Sequence, residues 1–104
     1  MTFIIKRNDT SPAVVYALST DAGIVNLNGA TVRFYMGSAV AADAAVLDAV
    51  GGIVSYEWLP SDTAVAGHFR AEFEVIYSDG TKETFPNEGY IAVRIDPDLG
   101  EPVP

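Results

Sequence analysis

His68 is the only histidine in a chain that has no cysteine, so imidazole-based proton transfer or a nitrogen-ligated metal would rest on this one side chain. A catalytic triad needs a nucleophile beside its base, and a zinc site needs several nitrogen or sulfur ligands. His68 sits in Gly67-His68-Phe69-Arg70-Ala71, where alternation turns it outward with Arg70, and it reads as a surface histidine. Asp96, Asp98 and Glu101 place hard oxygen ligands at the opening spacing of a calcium loop. Pro97 intervenes, and the glycine turn and bidentate glutamate of such a loop are lacking, so these acids read as a solvated tail. Asp62, Asp79 and Glu88 each stand beside turn residues, where carboxylates accept local backbone hydrogen bonds, and read as turn builders. Trp58 has the type for stacking on a sugar, but its parity with Val54 and Tyr56 makes it core. Tyr35 and Ile76 are out of phase with the apolar residues around them, which marks either a contact surface or ordinary exposed hydrophobes. No phosphate loop, dinucleotide-binding glycine motif or serine nucleophile elbow occurs. No residue is assigned a catalytic, cofactor-binding or metal-ligating role.

The elements that would position these residues are short strands. In Gly67 to Val75, Phe69, Ala71, Phe73 and Val75 fall on one face of a strand and His68, Arg70, Glu72 and Glu74 on the other. The same period recurs in Thr31-Val32-Arg33-Phe34-Tyr35-Met36, Val54-Ser55-Tyr56-Glu57-Trp58 and Tyr90-Ile91-Ala92-Val93-Arg94-Ile95. The predicted core is therefore Val32, Phe34, Met36, Val54, Tyr56, Trp58, Phe69, Ala71, Phe73, Val75, Ile91, Val93 and Ile95. Further strands are expected over residues 2–6, 13–18, 25–27 and 81–85. Pro12 suits a strand start or an edge better than a central ladder. Residues 38–50 are rich in alanine but too short between breakers for a good helix, and Val46 and Leu47 read as a strand joined by Ala49-Val50-Gly51-Gly52 to the next. Asn28-Gly29 reads as a tight turn, and Ser78-Asp79-Gly80 as a type I′ hairpin. Together these describe an antiparallel β-sandwich of about 7 to 9 short strands with no disulfide, over residues 1–98, followed by an extended tail at 99–104.

Composition bounds the function. At 104 residues, the chain makes one domain that buries roughly 60 to 70% of its unfolded surface. The N-terminus Met1-Thr2-Phe3-Ile4-Ile5-Lys6-Arg7 has no signal-peptide pattern, and no apolar run approaches the ~20 residues of a membrane span. A soluble protein made in the cytosol is expected. A net charge of −8 with the 6 lysines and arginines scattered repels phosphate backbones, so neither nucleic acid nor membrane is an expected partner. Gly67-His68-Phe69-Arg70-Ala71 also lines up with the Gly-x-Tyr-x-Cys signature of an immunoglobulin strand F, with Asp62 placed somewhat early. Phe69 lacks the hydroxyl of a tyrosine corner and Ala71 cannot form the inter-sheet disulfide. The implied sandwich is immunoglobulin-like and held by packing alone, as suits assembly in a reducing cytosol.

Five blocks in order carry a resemblance. They are Lys6-Arg7-Asn8-Asp9-Thr10-Ser11-Pro12, Val25 to Met36, Gly52-Ile53-Val54-Ser55-Tyr56-Glu57-Trp58, Gly67 to Val75, and Thr84-Phe85-Pro86-Asn87-Glu88-Gly89-Tyr90. From about residue 3 to about residue 98 the series resembles the N-terminal domain of phage baseplate upper proteins, which small proteins of tailed phages and prophages also carry. Asn8 stands where that series has glycine, a change that a residue tolerant of the left-handed conformation absorbs. The resemblance implies an immunoglobulin-like sandwich that anchors or decorates a virion through protein contacts and has no enzymatic activity. In baseplate upper proteins the domain attaches to the baseplate hub and precedes a stalk or receptor-binding connection. This sequence stops after the domain, so an adaptor, collar, fibre-base or decoration role is expected rather than direct receptor binding. The implied setting is a virion built in the host bacterial cytoplasm. Its expected partners are other baseplate, tail, fibre or capsid proteins in a symmetric multi-copy assembly, with no cofactor and no small-molecule substrate. A carbohydrate-binding module and a small phage-encoded cytosolic inhibitor are the alternatives.

Overall fold

The computed structural model describes residues 2–100, and within them the regular structure is eleven strands and one 3-10 turn at Pro60–Thr63. The strands are β1 (Thr2–Lys6), β2 (Val14–Ala17), β3 (Ser19–Thr20), β4 (Gly23–Ile24), β5 (Thr31–Met36), β6 (Val40–Asp43), β7 (Ala45–Asp48), β8 (Ile53–Tyr56), β9 (Gly67–Ile76), β10 (Lys82–Phe85) and β11 (Ile91–Asp96). The long alternating run forms β9, which organises the larger sheet. One edge of β9 pairs with β5, and the other carries β10 along Phe73–Ile76 and β11 along Gly67–Ala71. The sheet order is β6-β5-β9-β11-β1, with β10 alongside β11 on β9. The second sheet is β2-β8-β7, and β3 and β4 form a two-residue ribbon.

The two sheets face one another through a cluster of rings. Phe34 of the larger sheet stacks on Tyr56 of the smaller at 4.5 Å between centroids, while Trp58 meets both edge-on at 5.6 and 5.4 Å. Tyr16 stacks over Phe73 at 6.1 Å. Offset and edge-to-face rings of this kind favour the sandwich beyond their buried area. Every residue assigned to the core from parity is buried except Phe69, which is half-buried. Phe69 lies past the last β5–β9 pair, Met36 with Ala71, and so has a strand neighbour on one side only. Ile5, Val14, Leu18, Val25, Leu27, Val40 and Phe85 complete the core.

Four expectations are corrected. The sandwich is not wholly antiparallel, because β1 runs parallel to β11, with Phe3 opposite Val93 and Ile5 opposite Ile95. Alternation puts Phe3 and Ile5 on the inner face whichever way the strand runs, and no hairpin ties the direction of two strands so far apart in the chain. The strand count exceeds the expected range because the turn after β2 forms the β3–β4 ribbon and residues 38–50 divide at Ala44, whose N–H bonds to Val32 O at 2.9 Å, into β6 of one sheet and β7 of the other. Residues 25–27 join no ladder: Val25 N–H bonds to Leu18 O at 3.1 Å and Leu27 N–H to Ala49 O at 2.8 Å, while both side chains are buried. Finally, the Ser78-Asp79-Gly80 hairpin is a type I turn with a bulge. Gly80 N–H bonds to Tyr77 O at 2.9 Å, Tyr77 N–H to Thr81 O at 2.8 Å, and Gly80 alone in that turn has positive φ, at 87°. Asp79 Oδ1 accepts Thr81 N–H at 2.9 Å and Thr81 Oγ1–H at 2.6 Å, which holds Asp79 in the ordinary right-handed region. Asn8 does adopt the left-handed conformation, at φ 67°, as its place in the glycine position requires.

Candidate functional site

The residues singled out for chemistry are scattered. His68 is exposed on the outer face of β9, opposite Arg94 of β11. Asp96 closes β11, where its carboxylate takes Arg94 Nε at 3.0 Å. Asp98 is half-buried, and Glu101 lies outside the described residues. Among the described residues no three His, Cys, Asp or Glu side chains converge as a metal site. Trp58 is core, and Ile76 is half-buried at the end of β9. Asp62 is more than a turn builder. Its Oδ2 accepts Leu59 N–H at 2.9 Å and the Tyr56 hydroxyl at 2.5 Å, so it also pins a core tyrosine. Burial, and then the Asp62 carboxylate, raise the Tyr56 phenol well above its usual range. Tyr77 is pushed up to about 12 by burial and by donating to Glu83 Oε1 at 2.8 Å.

The two outer faces differ. On the larger sheet, outward residues include many charged side chains, several of them paired, together with uncharged ones such as exposed Ile4 and Ala92. Arg33 bridges to Asp43 across β5–β6 at 2.7 Å, Tyr35 donates to Glu74 Oε1 at 3.4 Å, and the Arg70 guanidinium lies 5.4 Å from the Tyr90 ring centre. Tyr35, Gly37, Arg70, Glu72 and Tyr90 surround a shallow cleft on this face. On the smaller sheet the outward positions form two short rows, Val15–Ser55–Ala45 and Ala17–Ile53–Asp48. Asp48, at a corner, is the sole charge in these rows, and its Oδ1 is occupied by Gly51 N–H at 2.9 Å. Val15 is 54% exposed and Leu47, at the β7 bulge, 59%.

The smaller sheet also has an open side. β2 pairs with β8 on one edge and, among the described residues, with no strand on the other. Beside that free edge a groove runs between the sheets. Its enclosed part, about 220 Å³, is bounded by Phe3, Val14, Tyr16, Pro86, Tyr90 and Ile91. A wider hollow continues past Tyr16, Pro86 and Glu88 to Asp21 and Ala22. The sequence held one signal for it: Pro12, just before β2, suits a strand start or an edge. Nothing local could show that the loop at Pro86–Glu88 returns to wall the groove.

The model of the BppU N-terminal domain, the N-terminal domain of phage baseplate upper proteins, matches residues 4–94 of the chain. The chain belongs to the BppU N-terminal domain family. It is thus a phage baseplate structural protein, whose partners are other virion proteins and whose place is the virion. The matched span runs from within β1 to within β11, so that the family unit coincides with the two-sheet body and takes in both the bare face and the β2 groove. None of the curated proteins compared with the chain matches it.

Proposed function

We propose that the chain is a non-enzymatic adaptor, collar, fibre-base or decoration component of a tailed-phage particle. It works by surface complementarity and is present in many symmetry-related copies after synthesis in the host cytoplasm. The observation that carries this reading is the BppU N-terminal domain match over residues 4–94. An all-β body with several exposed apolar residues, Val15 and Leu47 of the smaller sheet among them, supports it, since such surfaces serve protein contacts. On this reading residues 1–98 form the immunoglobulin-like unit and 99–104 a tail outside it. Mass spectrometry of purified particles tests the role: the chain is expected at stoichiometric level, and its complete absence would reject the virion role in favour of the cytosolic inhibitor.

A carbohydrate-binding reading has one observation in its favour. Tyr90, 57% exposed, joins Tyr35 and Arg70 around a single cleft, and aromatic faces beside a guanidinium suit a sugar ring. On that reading, titration with host cell-wall polysaccharide gives saturable binding that Tyr90→Ala removes; no binding by the parent chain rejects it.

A further inference from the structure

We infer that the free edge of β2 is a docking site for an extended, basic segment of a partner protein, which adds to the smaller sheet as a fourth strand. Sheet edges present unpaired backbone N–H and C=O groups, and proteins guard them with charges, prolines, bulges or cover. The other edge strands of the two larger sheets are guarded: β1 carries Lys6, β6 carries Asp43, β10 carries Lys82 and Glu83, and β7 has both Asp48 and a bulge; the β3–β4 ribbon also has bare edges, but each of its strands is only two residues long. Val14-Val15-Tyr16-Ala17 has no charge, proline or bulge in its pairing with β8. A strand added to this edge would lie in the groove, gaining main-chain hydrogen bonds for affinity and side-chain pockets for specificity. The narrower part, about 220 Å³ between Phe3, Val14, Pro86, Glu88, Tyr90 and Ile91, has room for one apolar side chain of the guest beside a carboxylate.

Charge selects the occupant. The charged residues lining the groove and its adjoining hollow are Asp21 and Glu88, both exposed acids, with no lysine or arginine among the lining residues. A second copy of the chain would bring these acids against each other on a molecule of net charge −8. A segment alternating apolar and basic residues meets both the pocket and the acids. This deepens the proposed virion role by naming the chemistry of the contact, yet the edge and its groove stand without it.

The test uses the full chain and two synthetic peptides, one alternating valine with lysine and one valine with glutamate. The lysine peptide is expected to slow amide exchange at Val14–Ala17 and shift the resonances of residues 86–91, with the glutamate peptide inert. The double variant Asp21→Lys, Glu88→Lys should bind the lysine peptide about tenfold more weakly at an unchanged melting temperature. Equal response to both peptides, or protection elsewhere, overturns the proposal. So does concentration-dependent protection of Val14–Ala17 without peptide, which would assign the edge to a second copy. In particles, the double variant should be excluded while the parent is incorporated, and equal incorporation of both overturns the docking site. Absence of the parent from particles rejects the virion role and leaves the peptide result to decide the edge by itself.

Discussion

The two outer faces of this sandwich are built on the same alternation and end in opposite chemistry. On the larger sheet many outward side chains answer one another: Arg33 with Asp43 across β5–β6, Arg94 with Asp96 along β11, and Arg70 of β9 with Tyr90 just before β11. On the smaller sheet, outward Val15, Ala17, Ala45 and Ile53 form no such pairs, Ser55 between Val15 and Ala45 is buried, and β2, which carries Val15 and Ala17, has a bare edge. A face whose charges are mutually satisfied asks little of its surroundings, whereas a face with a single corner charge beside unpaired backbone groups gains from being covered. On the proposed reading, partner contact falls on the smaller sheet and its β2 edge. Both faces rest on a shared core, which is where perturbation should cost most.

Phe73→Ala removes the ring that packs between Phe34 and Tyr16, and should destabilise by about 3 to 5 kcal/mol in denaturant titration. A loss below ~1 kcal/mol would mean that the faces are wrongly assigned. Gly52→Ala comes next. At φ 68° the new Cβ would stand 2.7 Å from Val25 O and 2.9 Å from Leu18 O, backbone atoms where the β7–β8 turn meets the ribbon. A loss of about 1 to 3 kcal/mol is expected from strain and contact together, and unaltered stability would show that the smaller sheet can shift as a body.

Between the faces themselves, substitutions should be mild and different in kind. Arg33→Ala on the charged face should lower the melting temperature slightly in low salt and not at all in high salt, because an exposed pair is screened. Ala45→Lys on the bare face should leave stability within about 0.5 kcal/mol and yet impair assembly. Salt-independent loss from the first, or unimpaired assembly with the second, would erase the contrast drawn between the two faces.

The smallest effect is one of pH. Tyr77 holds its proton up to about 12 in the folded protein, against 10.0 ordinarily, so the folded state binds more protons between these values and stability must fall as pH rises through that window. Below pH 10.0 the contribution is complete, and Tyr77→Phe should flatten the alkaline decline. Asp79 acts in the opposite sense. Its hydroxyl and backbone bonds from Thr81 lower its pKa below 3.8, so its contribution is present above that value and lost as pH falls through the folded one. Parallel acid curves for the parent and Asp79→Asn would show that the turn does not depend on the carboxylate charge.

Much of the fold was legible because periodicity is a local property. Val32, Phe34, Met36, Ala71, Phe73 and Val75 took their inward places from parity alone, and the ordered blocks carried the family. Asn8 met a demand for positive φ that its type and position had signalled. None of this depended on which strand lay beside which. Neighbourhood was decided by the tertiary structure: alternation has no sense of direction, so it could not make β1 parallel to β11, and it does not register a change of sheet, so it passed through Ala44 unmarked. The turn at Gly80 took its type from the hydrogen bonds that Asp79 makes to Thr81. The candidate site was the least legible part, because a groove between β2 and the loop at Pro86–Glu88 is made by residues about seventy positions apart. Side-chain order settles which atoms leave water; only the closed chain settles which backbone groups are left without a partner.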